Sequence, residues 1–276
     1  MRGDHYNFDV NGLNPANAGE GSDGVLSPKF SLAYEVRNDL ELYGAYGYGF
    51  HSNDVSGVVQ TQDPNTGLAS AQTDLIVKGK GGEIGARYHP SSNFNISVAF
   101  YHLDLDSELI FVGDAGTSEP SEATKRQGFE LGGFWKFGDI FAVDATASWS
   151  DAKFANTPTS ANKIPNSVDF TAAAGVTAVF DNGISGSLRL RHLGEAALTE
   201  DNAVRSDTTT LVNLGVSKDF GRFSLGVDIL NLLDSDDNDI TYFYESQLRG
   251  ENTPIEDIHF HRVHPRAIKL TLRMKI

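Results

Sequence analysis

Apolar and polar residues alternate with a period of two in one segment after another, and this limits what the chain can fold into. Residues 266–276 read Arg-Ala-Ile-Lys-Leu-Thr-Leu-Arg-Met-Lys-Ile. Ile268, Leu270, Leu272, Met274 and Ile276 fall on one side, with Lys269, Thr271, Arg273 and Lys275 on the other. Successive side chains of a strand point to opposite faces, so such a segment is a strand with one apolar and one charged face. Phe223, Leu225, Val227 and Ile229 oppose Ser224, Gly226 and Asp228 in the same way, and Phe129, Leu131, Gly133, Trp135 and Phe137 oppose Glu130 and Lys136. Further strands start near Phe30, Leu40, Ile84, Phe94, Phe141, Val168, Ile184 and Val212, and one spans Asp4 to Val10. The pattern predicts about twelve strands of about eleven residues each, the length a tilted strand needs to cross a bilayer.

The connections alternate too. Five are tight: Arg37 to Asp39, Pro90 to Asn93, Gly138-Asp139, Asp181 to Gly183 and Gly221-Arg222. All five carry ordinary hairpin-turn chemistry. Six are long and polar, at 11–26, 51–80, 105–126, 151–166, 195–208 and 234–264. Short turns at one end and long loops at the other are the signature of an outer-membrane barrel. Tyr88, Phe94, Phe137, Phe141, Phe180 and Phe223 lie close to tight turns, as an interfacial aromatic girdle requires. Charge is divided by side. The chain carries 37 acidic and 22 basic residues, a net charge of −15, and the six long loops hold 23 of the former and 9 of the latter. Such a loop side repels anions and concentrates cations, and it also keeps an outer surface hydrated.

Composition removes other classes. No cysteine is present, which excludes disulfide frameworks, thiol catalysis and thiolate metal sites. An acidic chain without clustered Lys and Arg is not a nucleic-acid binder. No apolar run reaches the roughly 18 residues of a spanning helix, and Met1-Arg2-Gly3-Asp4 leads into polar sequence with no apolar signal-peptide core. The competing architecture is a soluble all-β sandwich or solenoid, whose strands also alternate.

Several segments resemble TonB-dependent outer-membrane receptors. Leu42-Tyr-Gly-Ala-Tyr-Gly-Tyr-Gly-Phe-His-Ser-Asn-Asp54 is similar to a strand-and-loop start of that family. Leu103 to Gly116, Asp228-Ile-Leu-Asn-Leu-Leu-Asp234 and Pro265-Arg266 before the final strand are similar to other family segments. The resemblance implies an antiparallel up-and-down transmembrane β-barrel. Residues 1–276 would form a single β-barrel domain, the C-terminal portion of a larger 22-strand receptor barrel. It further implies a non-enzymatic receptor in the outer membrane of a Gram-negative bacterium, taking up a scarce nutrient such as a ferric siderophore, cobalamin or haem. Its partners would be outer-membrane lipid, the nutrient and, through an N-terminal plug not found in this sequence, a TonB-type energy-coupling protein. No cofactor is expected. The family's barrels usually end on an aromatic residue, where this chain has Ile276. A self-contained twelve-strand passive channel and a surface adhesin are the alternatives.

Candidate ligand contacts are His259, His261 and His264 with the neighbouring Glu256 and Asp257. In an extended segment His259 and His261 share a face about 7 Å apart, a spacing at which two imidazoles and a carboxylate could hold a transition metal. Asp234, Asp236, Asn238 and Glu245 fall at EF-hand ligand spacings, although Asp239 replaces the usual glycine. Glu83, Arg87, Glu130, Lys136, Arg189, Arg191, Lys269 and Arg273 are expected to face inward. His51-Ser52-Asn53-Asp54 contains hydrolase residue types without a G-x-S-x-G elbow, so no catalysis is expected there.

Overall fold

The computed structural model describes residues 1–63, 67–70, 72–112 and 117–275. Gly113 to Gly116 of the family-like segment, and Ile276, lie outside them. In chain order the strands are β1 (Arg2–Val10), β2 (Gly19–Ser27), β3 (Lys29–Arg37), β4 (Leu40–Ser52), β5 (Ile76–Ser91), β6 (Phe94–Leu105), β7 (Leu109–Val112), β8 (Thr117–Pro120) and β9 (Thr124–Phe137). There follow β10 (Phe141–Phe154), β11 (Phe170–Val179), β12 (Ile184–Leu193), β13 (Thr209–Asp219), β14 (Phe223–Leu230), β15 (Asn238–Ser246), β16 (Ile255–Arg262) and β17 (Ala267–Met274). One short helix, α1 (Val55–Val59), follows β4. No helix among the described residues is long and apolar enough to cross a membrane.

Eleven strands form one antiparallel sheet in the order β17-β14-β13-β12-β11-β10-β9-β6-β5-β4-β3. Each strand pairs with its neighbour in sequence wherever a tight turn joins them, and all five expected turns are present. Gly138, Gly183 and Gly221 take positive φ in three of these turns. At Gly183 an added Cβ would also stand 2.9 Å from the Asp219 carbonyl, so this turn requires glycine twice over.

The twelve expected strands are all present, and five more lie in regions read as loops. The strand from Asp4 to Val10 exists, but β1 pairs with β2 in a separate ribbon and adds nothing to the eleven-stranded sheet. Three regions read as loops hold further strands: β2 begins in 11–26, β7 and β8 lie within 105–126, and β15 and β16 within 234–264. They escaped the alternation reading because a ribbon in water needs no apolar face. The alternative of a self-closed twelve-strand barrel is not what the sheet forms. β3 and β17 are the two edges of the sheet and do not pair with each other, so the sheet is an open, partial barrel wall.

Register assigns the faces. Phe129 lies opposite Phe100 and Trp149, and Trp135 opposite Phe94 and Val143, so one face carries the apolar set. That face is bare: Ile84 is 66% exposed, Leu270 71% and Leu272 71%. The whole chain exposes 17704 Å², against about 11,700 Å² for a compact soluble protein of its mass. A sandwich would bury those side chains, so the exposed area decides against it. Most residues buried below a tenth, such as Leu75, Ile76, Val77, Phe154, Ile164 and Ala197, lie at the long-loop end.

Aromatic belts bound the apolar face. Phe100, Phe129 and Trp149 form a row near the long loops, with centroids 6.2 Å apart at each step. Tyr88, Phe94, Trp135, Phe137, Phe141 and Phe180 chain along the turn end. From Phe129 to Phe137 a strand advances about 27 Å. At the usual tilt this covers about 20 Å of depth, near the ~25 Å apolar band of such barrels.

Candidate ligand-binding site

The opposite face is polar. Parity in the ladder places Glu83, Arg87, Glu130, Lys136, Arg189, Arg191, Lys269 and Arg273 on it, as the sequence predicts, and all eight are exposed. Two cross-strand ion pairs organise it. Arg87 donates to Glu41 at 2.6 Å, with its guanidinium carbon 4.1 Å above the Tyr43 ring. Arg189 donates to both carboxylate oxygens of Asp144 at 2.6 Å. Glycines make room for these flattened side chains. A Cβ at Gly85 would stand 2.5 Å from the Tyr43 ring, and one at Gly175 would collide with the Arg189 guanidinium.

Two shallow depressions mark this inner wall. The first, of about 470 Å³, lies between β4, β5 and β6 and is lined by Gly47, Gly49, Gly79 and Gly81 with Lys29, His51, Glu83 and Tyr101. The second, of about 520 Å³, is lined by Tyr43, Ser97, Glu130, Ser148, Thr171 and Arg191. Backbone, hydroxyls and both signs of charge lie there beside apolar side chains such as Leu103 and Leu131.

At the long-loop end Glu108 forms the tightest charged cluster. Arg126 grips it with both guanidinium nitrogens, one donating to Glu108 Oε2 at 2.6 Å, and the buried Thr124 hydroxyl also donates to it. Burial pushes the Glu108 carboxyl up, but the hydrogen bonds from Arg126 and Thr124 outweigh this and hold it below the usual range. Sequence reading missed this seat because Glu108 and Arg126 are 18 positions apart in a segment read as a loop.

His259, His261, Glu256 and Asp257 all lie on β16, which pairs with β15 in a two-stranded sheet. His259 stacks on Tyr244 with ring centroids 3.9 Å apart, and its Nε2 is buried without a hydrogen-bond partner among the described residues. His261 Nδ1 stands 2.7 Å from Asp239 Oδ1, and its ring meets that of His264 edge-on at 6.4 Å. Asp257 accepts from the Ile258 amide at 2.7 Å, and Glu256 faces Glu245 across the ribbon.

Carboxylates of the EF-hand-like run are engaged by the chain itself. Asp234 holds the backbone and guanidinium of Arg266 at 2.9 and 3.2 Å. Asp236 pairs with Arg262, and Asp237 accepts from the Thr210 amide at 2.7 Å. The Asn238 carbonyl accepts from Thr209. Glu245 sits on β15, about 23 Å along an extended strand from Asn238. Among the described residues, no three His, Cys, Asp or Glu side chains form a group that could hold a metal ion.

Two family-like motifs have structural roles. Asn231, 4% exposed with φ +48°, donates to the carbonyls of Ser235 and His264 and takes the Asn213 side chain on its own amide. It ties the departure from β14 to the return into β17. In the other, Asp54 caps α1 through the Ser56 amide at 2.8 Å, and Asn53 donates to the Asp74 carbonyl at 2.8 Å.

A family model described as "TonB dependent receptor-like, beta-barrel" matches residues 1–232. Among solved structures, the ferric yersiniabactin uptake receptor FyuA from Yersinia pestis superposes with a TM-score of 0.69 at 17% identity. The match covers 94% of this chain and 38% of that one. The ferric-catecholate import receptor Fiu from E. coli K12, in its closed form, gives 0.68 at 15% identity over 93% of this chain and 36% of that one. The siderophore receptor PiuA from Acinetobacter baumannii gives 0.68 at 12%, over 97% and 38%. The chain thus spans well under half the length of each structure, and at these identities the likeness is one of fold.

Proposed function

The chain belongs to the TonB-dependent receptor-like β-barrel family, and from that premise we propose that it forms part of the wall of an outer-membrane uptake receptor. The observation that carries the reading is the open eleven-stranded sheet with one bare apolar face and one charged face. An apolar face of this extent, bounded by aromatic belts, fits the lipid-facing band of an outer-membrane barrel. The polar face lines a lumen, and the unpaired edges β3 and β17 are where the remaining strands of a 22-strand barrel would add. The role is transport rather than catalysis, in a Gram-negative outer membrane. Its cargo is a scarce nutrient such as a ferric siderophore, cobalamin or haem, moved with energy from a TonB-type partner acting through a plug.

Ligand is met first by the β15–β16 ribbon, through His259, His261, His264, Glu256 and Asp257, and then by the inner depressions beside Tyr101 and Glu130. The test is uptake of radiolabelled ferric siderophores, cobalamin and haem by cells with and without the gene, repeated after collapse of the inner-membrane potential. Energy-dependent loss of one ligand supports the reading, and His259→Ala with His261→Ala should weaken that uptake. Unchanged uptake of all three would reject these cargoes, and energy-independent passage would favour the passive channel.

A further inference from the structure

Two asparagines in the chain are followed directly by glycine, at Asn11-Gly12 and Asn182-Gly183. Such a pair can react with itself. Attack of the glycine amide nitrogen on the asparagine Cγ closes a five-membered ring, and a glycine carries no Cβ to obstruct it. In a folded protein the reaction needs an amide free of hydrogen bonds, a side chain free to turn towards it, and backbone free to bend.

Asn182-Gly183, in the tight turn between β11 and β12, meets none of these conditions. The Gly183 amide donates to the Phe180 carbonyl at 3.0 Å, and the Gly183 carbonyl accepts from the Asp219 amide at 2.9 Å. The Asn182 side chain is occupied as well, its Oδ1 accepting from the Ile184 amide at 3.0 Å. Asn11-Gly12 meets all three. Both residues are exposed and follow β1 at the tip of the β1–β2 ribbon, outside any strand or helix. The Gly12 amide has no hydrogen-bond partner among the described residues. Asn11 Nδ2 makes one long contact, 3.4 Å from Asp9 Oδ1.

Other asparagines of the same loop are engaged. Asn14 accepts from the Ala16 amide at 3.0 Å, and it precedes Pro15, which has no N–H to attack with. Asn17 accepts from the amides of Thr61 and Gln62 at 3.1 and 3.0 Å. The tip is therefore pinned beyond Asn11, and Asn11-Gly12 is the slack joint between that pin and β1.

We propose that Asn11 is a site of spontaneous deamidation in the folded protein, and that Asn182 is not. The Gly12 nitrogen gives its proton to a solvent base and bonds to Asn11 Cγ. The Cγ–Nδ2 bond breaks, and ammonia leaves. Water then opens the succinimide at one of its two ring carbonyls. One opening yields aspartate at position 11, and the other yields isoaspartate, whose backbone runs through Cβ. One water enters, one ammonia departs, and the chain gains one negative charge beyond its −15. Either product sets a carboxylate beside Asp9 where a donor stood, which loosens the end of β1. The reaction needs no membrane and no partner.

The full 276-residue chain, folded in detergent as judged by circular dichroism, is incubated at neutral and at mildly alkaline pH and sampled by peptide mass mapping. Electron-transfer fragmentation separates isoaspartate from aspartate. Asn11 should convert about tenfold faster than Asn182, the factor that one or two protecting hydrogen bonds supply. The rate should rise with pH, because the attacking amide must lose its proton. Gly12→Ala should slow the reaction, and the site has room for it, since the added Cβ would lie 3.7 Å from its nearest neighbour. In urea the two sites should convert at equal rates, because only the shared chemistry then remains. Equal rates in the folded chain, or faster conversion at Asn182, would overturn the proposal. A difference that persists in urea would overturn it too, since native contacts would not be its cause. The wild-type comparison carries the test by itself if Gly12→Ala misfolds.

Discussion

Glu108 shows how a single residue can hold down a loop. Its carboxylate takes hydrogen bonds from Arg126 and Thr124 on β9, closing the segment that leaves β6 back onto the strand it rejoins. Arg126→Ala would strand a half-buried carboxylate, and we expect a loss of about 1–2 kcal/mol after solvent screening, read as a shifted urea midpoint in detergent. The effect depends on pH in a definite direction. Because the folded Glu108 value is depressed, its stabilisation is complete above the unfolded value, about 4.3, and is lost as pH falls through the folded one. The midpoints of wild type and Glu108→Gln should therefore differ at pH 7 and converge as pH falls through the depressed folded value. A gap that persists in acid would mean that shape rather than charge holds the seat.

At the scale of the strand, period two is the controlling quantity. On β17, Leu270 lies opposite Val227 on the apolar face and Thr271 opposite Gly226 on the polar one. Leu270→Arg should cost roughly 2–4 kcal/mol near the bilayer midplane, and Thr271→Arg much less. Equal costs on refolding into vesicles would contradict the assigned faces. Alternation made the twelve principal strands and five turns legible, because each strand with one face in lipid must repeat that pattern. It could not show β2, β7, β8, β15 or β16, which lie in the long-loop regions with no lipid to face. Nor could it show that β5, β9 and β10 run on past the aromatic belt.

For the whole molecule, the open edges dominate. β3 is exposed along its entire length, and β17 along nearly all of it. An unpaired edge is a template for further pairing. In detergent the 276-residue chain should therefore self-associate and give no discrete conductance steps. Sedimentation and planar-bilayer recording would check this, and a monomer with steady unitary conductance would restore the passive channel.

The sequence by itself determined the fold class, the two faces of each principal strand, the side on which the long loops gather and the family. All of these follow from a local rule, since a strand between lipid and water writes its environment into every second residue. It also supplied the residues of the candidate ligand site, but not their geometry. Only the tertiary structure decided that the sheet stays open, that His261 meets Asp239 and His264, and that Glu108 meets Arg126. Most of those contacts join positions far apart along the chain, or turn on where a ladder ends. They depend on register between strands, and no period along a single strand encodes that.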